Sequence, residues 1–288
     1  MFEDVVKIGK GAYGTVYKAV CKQDGLVVAI KQIEMTSDDE GVACTAVREI
    51  GILANLNHKN IVKLISVFHN DKTLMLVFEY CPRDLHHHMK MRPGRLLPIE
   101  VVSFSFQLLT AVSYIHSKLI IHRDIKPSNL LINESGVLKL CDFGLARLMD
   151  VPCNDLSCDV VTQWYRAPEI LLRYRNYGLP SDMWSVGCVI AELAIGQPLF
   201  PCDDDHSQLA MIFGTVNSPS EAEWPGVSSM PNYPTRILPY PALRERMKSC
   251  DPRLVNLVVD LLQVVPSQRI SAADALTYPI FDDITQCN

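Results

Sequence analysis

Ile121-His122-Arg123-Asp124-Ile125-Lys126-Pro127-Ser128-Asn129 is the stretch on which the reading of this sequence turns. Within six residues it places a carboxylate, an ammonium and a carboxamide. Asp124 can accept the proton of a hydroxyl, Lys126 can neutralise a moving phosphoryl group, and Asn129 can ligate a metal. Thirteen residues on, Asp142-Phe143-Gly144 adds a second carboxylate that can bridge a metal to phosphates. The interval holds two strand-like runs, 130–133 and 137–140, around Glu134-Ser135-Gly136. Such a hairpin would bring Asn129 and Asp142 to one side.

Working outward, Val28-Ala29-Ile30-Lys31 ends a predicted strand with a lysine in apolar surroundings. A buried ammonium needs a partner. Glu49, eighteen residues on and inside a helical pattern, is the predicted one; the pair would hold Lys31 against phosphate oxygens. Gly9-Lys10-Gly11-Ala12-Tyr13-Gly14, followed by Val16, lets backbone amides approach phosphates without a Cβ in the way. A dinucleotide-binding fingerprint has the same letters but opens a helix. Here residues 15–20 are strand-like, so the segment reads as a strand–turn–strand lid.

Bulk properties narrow the classes. The chain has 288 residues, 48% hydrophobic and 20% charged, with a net charge of −5. That predicts a folded chain of one large or two small units, and no basic excess points to nucleic acid. No apolar run reads as long enough to cross a bilayer, so no membrane partner is expected, and the N-terminus does not read as a signal peptide. The ten cysteines form no CxxC pair, which predicts reduced thiols and a cytoplasmic or nuclear setting. Cys141 and Cys188 sit in apolar runs, and Cys153 and Cys158 in a predicted loop.

Strands are expected at 5–8, 15–20, 27–33, 64–69 and 73–79, interrupted by a helix over 42–56 with Ala43, Val47, Ile50 and Ala54 in helical spacing. Cys81-Pro82-Arg83-Asp84 reads as a linker. Helical periodicity then dominates, with Val101, Phe104, Leu108, Ala111 and Ile115 on one face and Asp182 as the N-cap of a helix over 183–194. Residues 214–241 read as irregular surface, His86-His87-His88 as a solvated helix start rather than a metal site, and Asp203-Asp204-Asp205 as an exposed acidic loop. The expected fold is α+β and bilobal: a small antiparallel-sheet lobe with one helix over 1–80, a hinge at 81–84 and a mainly helical lobe over 85–288. A ligand cleft is expected at the seam.

Taken together, these motifs resemble the eukaryotic protein kinase family, and the resemblance spans essentially the whole chain. Ala167-Pro168-Glu169 and Asp182-Met183-Trp184-Ser185-Val186-Gly187 belong to the same match, as does Arg269, placed to pair with Glu169. The resemblance implies ATP and Mg2+ as cofactors, Asp124, Lys126, Lys31 and Glu49 as catalytic residues, and Asn129 and Asp142 as metal ligands. It implies that Ile8, Gly9, Gly11, Gly14, Val16, Ala29 and Lys31 surround ATP with Phe78 as a bulky gatekeeper. The backbone at Glu79 and Cys81 would bond adenine, and Asp84 would face the ribose. Lys126-Pro127 is similar to the serine/threonine branch. Because Lys31, Glu49, Asp124, Lys126, Asn129 and Asp142 are all present, an active enzyme is expected over a nucleotide-binding scaffold.

A narrower resemblance is to the cyclin-dependent kinases. It rests on Glu40-Gly41-Val42-Ala43-Cys44-Thr45-Ala46-Val47-Arg48-Glu49, Leu76-Val77-Phe78-Glu79-Tyr80, Gly144-Leu145-Ala146-Arg147, Val160-Val161-Thr162-Gln163-Trp164-Tyr165-Arg166 and Trp224-Pro225-Gly226-Val227. It implies a cyclin or cyclin-like activator that presses the helix inward, although Ala43-Cys44 stands where the family has Pro-Ser. It also implies an activating phosphate at Ser157 read by Arg48, Arg123 and Arg147, and an inhibitory site at Tyr13, with Ala12 replacing the usual threonine. Val160, Val161, Thr162 and Arg166 would bind substrates with Ser/Thr-Pro sites, since proline alone lacks the amide hydrogen such a pocket leaves unpaired. A cell-cycle or signalling role follows from this resemblance. The alternatives are an activator-independent relative, such as a mitogen-activated type, and an inactive scaffold. The absence of Thr-x-Tyr in 151–161 speaks against the mitogen-activated type.

Overall fold

In the computed structural model, the described residues are 2–11, 14–34, 40–70, 73–92, 94–149, 163–174, 177–237 and 239–285, with backbone only for 11, 40–45 and 285. Five β-rich runs form strands β1 (Phe2–Gly11), β2 (Gly14–Cys21), β3 (Val27–Glu34), β4 (Leu64–Asn70) and β5 (Thr73–Glu79), joined in an antiparallel sheet of order β1-β2-β3-β5-β4. Alternation along β3 divides the sheet's two faces. Val28 and Ile30 join Ala19 and Val77 in a small outer cluster. Ile33, with Leu74 and Leu76, faces the main core and carries Lys31 onto the same side.

Helix α1 (Glu40–Leu53) lies against that inner side. Ala46, Glu49, Ile50 and Leu53 follow helical spacing toward the interior, which leaves Val47 65% exposed on the opposite face. The helix is shifted from the expected 42–56. At its end the Asn55 carboxamide donates to Gly51 O at 2.9 Å, and Asn55 N and Leu56 N bond three residues back rather than four, tightening the last turn.

Beyond Tyr80 the larger lobe contains strand β6 (Arg83–Asp84), helices α2 (Leu85–Lys90) and α3 (Pro98–Ser117), and strands β7 (Ile120–Ile121), β8 (Leu130–Ile132), β9 (Leu138–Leu140) and β10 (Arg147–Leu148). They are followed by α4 (Pro168–Leu171), α5 (Pro180–Ile195), α6 (Asp205–Val216), α7 (Leu243–Arg246), α8 (Pro252–Leu261), α9 (Ala272–Ala275) and α10 (Asp282–Thr285). The architecture is the expected bilobal one, with an antiparallel sheet above a mostly helical lobe.

Five further expectations are corrected. By length and composition alone, α3 is apolar enough to cross a bilayer, contrary to the sequence reading; its apolar face, Val101, Phe104, Leu108, Ala111 and Ile115, is spent on the core. Asp182 is not an N-cap. Its helix begins earlier, at Pro180, where a fixed φ suits the first turn, and the Asp182 carboxylate is buried. The Asp203–Asp205 run is only partly loop, because Asp204 caps α6 through Ser207 N at 2.9 Å and Asp205 starts the helix. His88 is largely buried, its ring edge-on to Phe104 at 5.8 Å. The irregular stretch begins at Asn217 rather than 214, since α6 continues to Val216; Trp224 and Val227 pin it to the core.

Candidate active site

The hairpin expected after Asn129 forms as β8 against β9, with Leu130 opposite Leu140 and Ile132 opposite Leu138. Its closure brings Cys141 N to Asn129 O at 3.0 Å, so Asp142 follows directly beside Asn129. The Asn129 amide nitrogen donates to Asp124 O at 2.8 Å and to Asp124 Oδ2 at 2.7 Å. Both hydrogens are used on Asp124, which leaves the Asn129 carbonyl oxygen as the group for a cation. Lys126 Nζ lies 3.0 Å from the same Asp124 Oδ2. Burial pushes the Asp124 carboxyl above its usual range, while Lys126 and Asn129 pull it back without cancelling the rise. A base poised above the usual aspartate value is suited to taking a hydroxyl proton.

Lys31 Nζ bonds Glu49 Oε2 at 2.7 Å and stands 3.5 Å from Asp142 Oδ1. Burial works against the Lys31 ammonium, but the two carboxylates outweigh it and hold the lysine above its ordinary value. Asp142, in a left-handed conformation with φ 63°, keeps its side chain 39% exposed, while Phe143 is fully buried edge-on to His122 at 4.8 Å. Asn129 and Asp142 together offer hard oxygen donors, the set that suits Mg2+.

The lid pairs Gly9 with Val16 and Gly11 with Gly14. Gly14 has φ +150°, and a Cβ there would fall 2.2 Å from Gln32 O, so glycine is required. Ile8 and Val16 lie on the lid strands, Ala29 on β3 pairs with Phe78 on β5, and Phe78 is buried. At the seam the Glu79 carboxylate accepts from Lys63 N at 2.7 Å and pairs with Lys139 at 2.9 Å. Among the described residues the Cys81 amide and carbonyl take no hydrogen bond, which leaves them for a ligand edge. Burial pushes the Cys81 thiol up to about 11. Asp84, expected at the ribose, caps α2 through His87 N at 2.7 Å.

Arg123 has φ 69° and donates through Nε to Leu145 O at 2.7 Å and through Nη1 to Tyr177 at 3.0 Å. Arg147 donates to Ala146 O at 3.2 Å and lies in β10, paired with β7. Arg48 sits on α1, which packs on the Phe143–Leu145 turn, so the three arginines flank one segment. Arg166 Nη1 lies 3.5 Å from Asp205 Oδ1. Arg269 meets Glu169 in a fully buried fork of 2.8 and 3.0 Å. Tyr13, Ser157, Val160, Val161 and Thr162 lie outside the described residues.

The sequence reading missed the role of Asp182. Its Oδ2 accepts from His122 N at 2.8 Å and faces His116 Nε2 at 3.0 Å, and its Oδ1 accepts from Arg123 N at 2.9 Å. The carboxylate thus clamps the backbone that leads into Asp124. An acid inside an apolar helical run was the available signal, because a buried charge demands partners.

A family model for the protein kinase domain matches residues 2–281 of the chain.

Proposed function

This chain belongs to the protein kinase family, and we propose that it is a proline-directed serine/threonine kinase of the cyclin-dependent type. The observation that carries the catalytic part is the joint hold of Lys126 and Asn129 on the Asp124 carboxylate, beside a closed Lys31–Glu49 pair. Asp124 takes the proton of the substrate hydroxyl as it attacks. Lys126 offsets charge on the phosphoryl group in flight, and Lys31, fixed by Glu49, orients the phosphates it leaves. Mg2+ with ATP, when bound, supplies the phosphoryl group and a cation on its oxygens, and Asn129 and Asp142 are the residues that would hold the metal.

Lys126-Pro127 supports the serine/threonine assignment, and the Val160-Val161 sequence with Arg166 supports proline after the acceptor. The exposed outer face of α1, with Val47 at its centre, supports a docking activator. Arg48, Arg123 and Arg147 around one segment support a phosphate at Ser157. A second reading, an activator-independent kinase, is favoured by the Lys31–Glu49 bond, which is made at 2.7 Å in the chain alone.

Phosphate transfer from Mg-ATP to matched Ser-Pro and Ser-Ala peptides, alone and with a panel of cyclins, separates the two readings. Weak basal activity raised by one cyclin, with Ser-Pro preferred, is the expected outcome. Equal activity with and without every cyclin leaves a kinase of the second kind. Equal use of the two peptides sinks proline direction.

A further inference from the structure

The N-terminal turn of α3, the C-terminal end of α5 and the start of α8 enclose a cavity of about 330 Å3 in the larger lobe. Its wall is apolar, with Val102, Ala194, Leu254 and Ile280 lining it and Ile99 at the lip. The charges around it are unevenly disposed. Arg253 is engaged by Asp251 at 2.9 Å, with Asp282 and Asp283 also raising its pKa. Arg95, which also lines it, donates to the neutral Ser249 hydroxyl at 2.9 Å and forms no ion pair among the described residues. Cys250 lines the cavity beside Arg95, its Sγ 3.9 Å from Ala194 O.

We propose that this cavity binds a single-chain anionic amphiphile, with its alkyl tail against Val102, Ala194, Leu254 and Ile280 and its carboxylate on Arg95 and Ser249. The volume is at the lower end for small-molecule sites, which suits one chain rather than a fused-ring body. A neutral apolar ligand would make no use of the Arg95 guanidinium. A cationic head would meet Asp251 and Asp283 in competition with Arg253, which both already stabilise. The assignment stands apart from the kinase reading, since none of these residues belongs to the cleft.

Calorimetric titration of the full chain with dodecanoate, dodecanol and dodecyltrimethylammonium, each below its micelle-forming concentration, tests it. In parallel, peptide mass spectrometry follows alkylation of Cys250 by N-ethylmaleimide. Dodecanoate is expected to saturate one site and slow Cys250 alkylation, with dodecanol weaker and the cation weakest. Arg95→Gln, a change at an exposed position, should weaken dodecanoate about tenfold, the loss of one charge-assisted contact, and leave dodecanol unchanged. Ala194→Leu, which fills the wall, should abolish binding of both; the Cys250 and Arg95 readouts stand should that variant fold poorly. No saturable dodecanoate binding, binding unchanged in Arg95→Gln, or Cys250 alkylation indifferent to bound dodecanoate would each overturn the assignment.

Discussion

Asp182→Asn isolates the contribution of a buried carboxylate that holds the backbone before Asp124. In the wild type the buried Asp182 takes three donors at 2.8, 2.9 and 3.0 Å, two of them backbone amides of the catalytic stretch. A carboxamide keeps one accepting oxygen and turns an NH2 toward at least one of those donors. One or two charge-assisted bonds are lost, each worth about 1.5–3 kcal/mol, and a buried N–H is left unpaired, so the expected cost is roughly 2–5 kcal/mol. Against a typical total of about 5–15 kcal/mol, the protein stays folded but melts earlier. Arg123 holds φ 69°, a conformation costing about 1–2 kcal/mol for a residue with a side chain. Without the clamp that strain relaxes and Asp124, the next residue, moves. A shift of that kind lowers kcat by about 10–100-fold, with little change in KM for ATP, because Lys31 and the seam are untouched.

The pH dependence carries a sign. Burial would raise the Asp182 carboxyl, but His116 and then His122 outweigh it and hold it below the ordinary aspartate value. Its stabilisation is therefore complete above the unfolded-state pKa and is lost as pH falls through the folded value. The gap between wild type and variant should narrow on acidification. Urea denaturation across pH, with kcat and KM at neutral pH, measures all three effects. An unchanged urea midpoint together with kcat within about twofold of wild type would refute the clamp, since three buried bonds cannot be altered without cost.

Asp124→Asn should lower kcat by about 10²–10⁴-fold while nucleotide binding, followed by fluorescence of a labelled analogue, persists. Because burial raises the Asp124 pKa and the base must be ionised, wild-type kcat should fall with decreasing pH before the ordinary aspartate range is reached; a flat profile down to that range would contradict the assignment. Arg269→Met strands the Glu169 charge in a site with 0% side-chain exposure and should cost about 3–5 kcal/mol, whereas the Arg269→Met/Glu169→Leu double variant should recover much of that loss. Chemical denaturation of both, showing the double variant no more stable than the single, would mean that the fork is not the source.

Much of the cleft was legible in the linear chain because its parts are local. The lid strands and the Asn129–Asp142 hairpin each follow from spacing over a few residues, and Lys31 in an apolar strand called for the acid that Glu49 supplies. The expected face of α1, Ala43, Val47, Ile50 and Ala54, was not the inward one, since Val47 and Ala54 are exposed and Ala46, Glu49 and Leu53 turn to the core. The sequence reading failed where one local rule competed with a distant partner. Asp182 sits where an N-cap would serve an α5 starting at Met183, yet Pro180 starts the helix earlier and the carboxylate turns to His122 and Arg123, some sixty residues back in sequence. Likewise Asp205, in what read as an acidic loop, starts a helix and reaches Arg166.

The sequence by itself determined the element types, the two-lobe division and the identity of the groups that can move a phosphoryl group, since these depend on periodicity and on short-range chemistry. Only the tertiary structure decided that Asp182 is spent on the backbone of His122 and Arg123 rather than on its own helix, and that the Arg269–Glu169 pair closes as a fully buried fork. A charge taken out of water is stabilised only by partners within a few ångströms, and residues far apart in the chain come that close through packing alone.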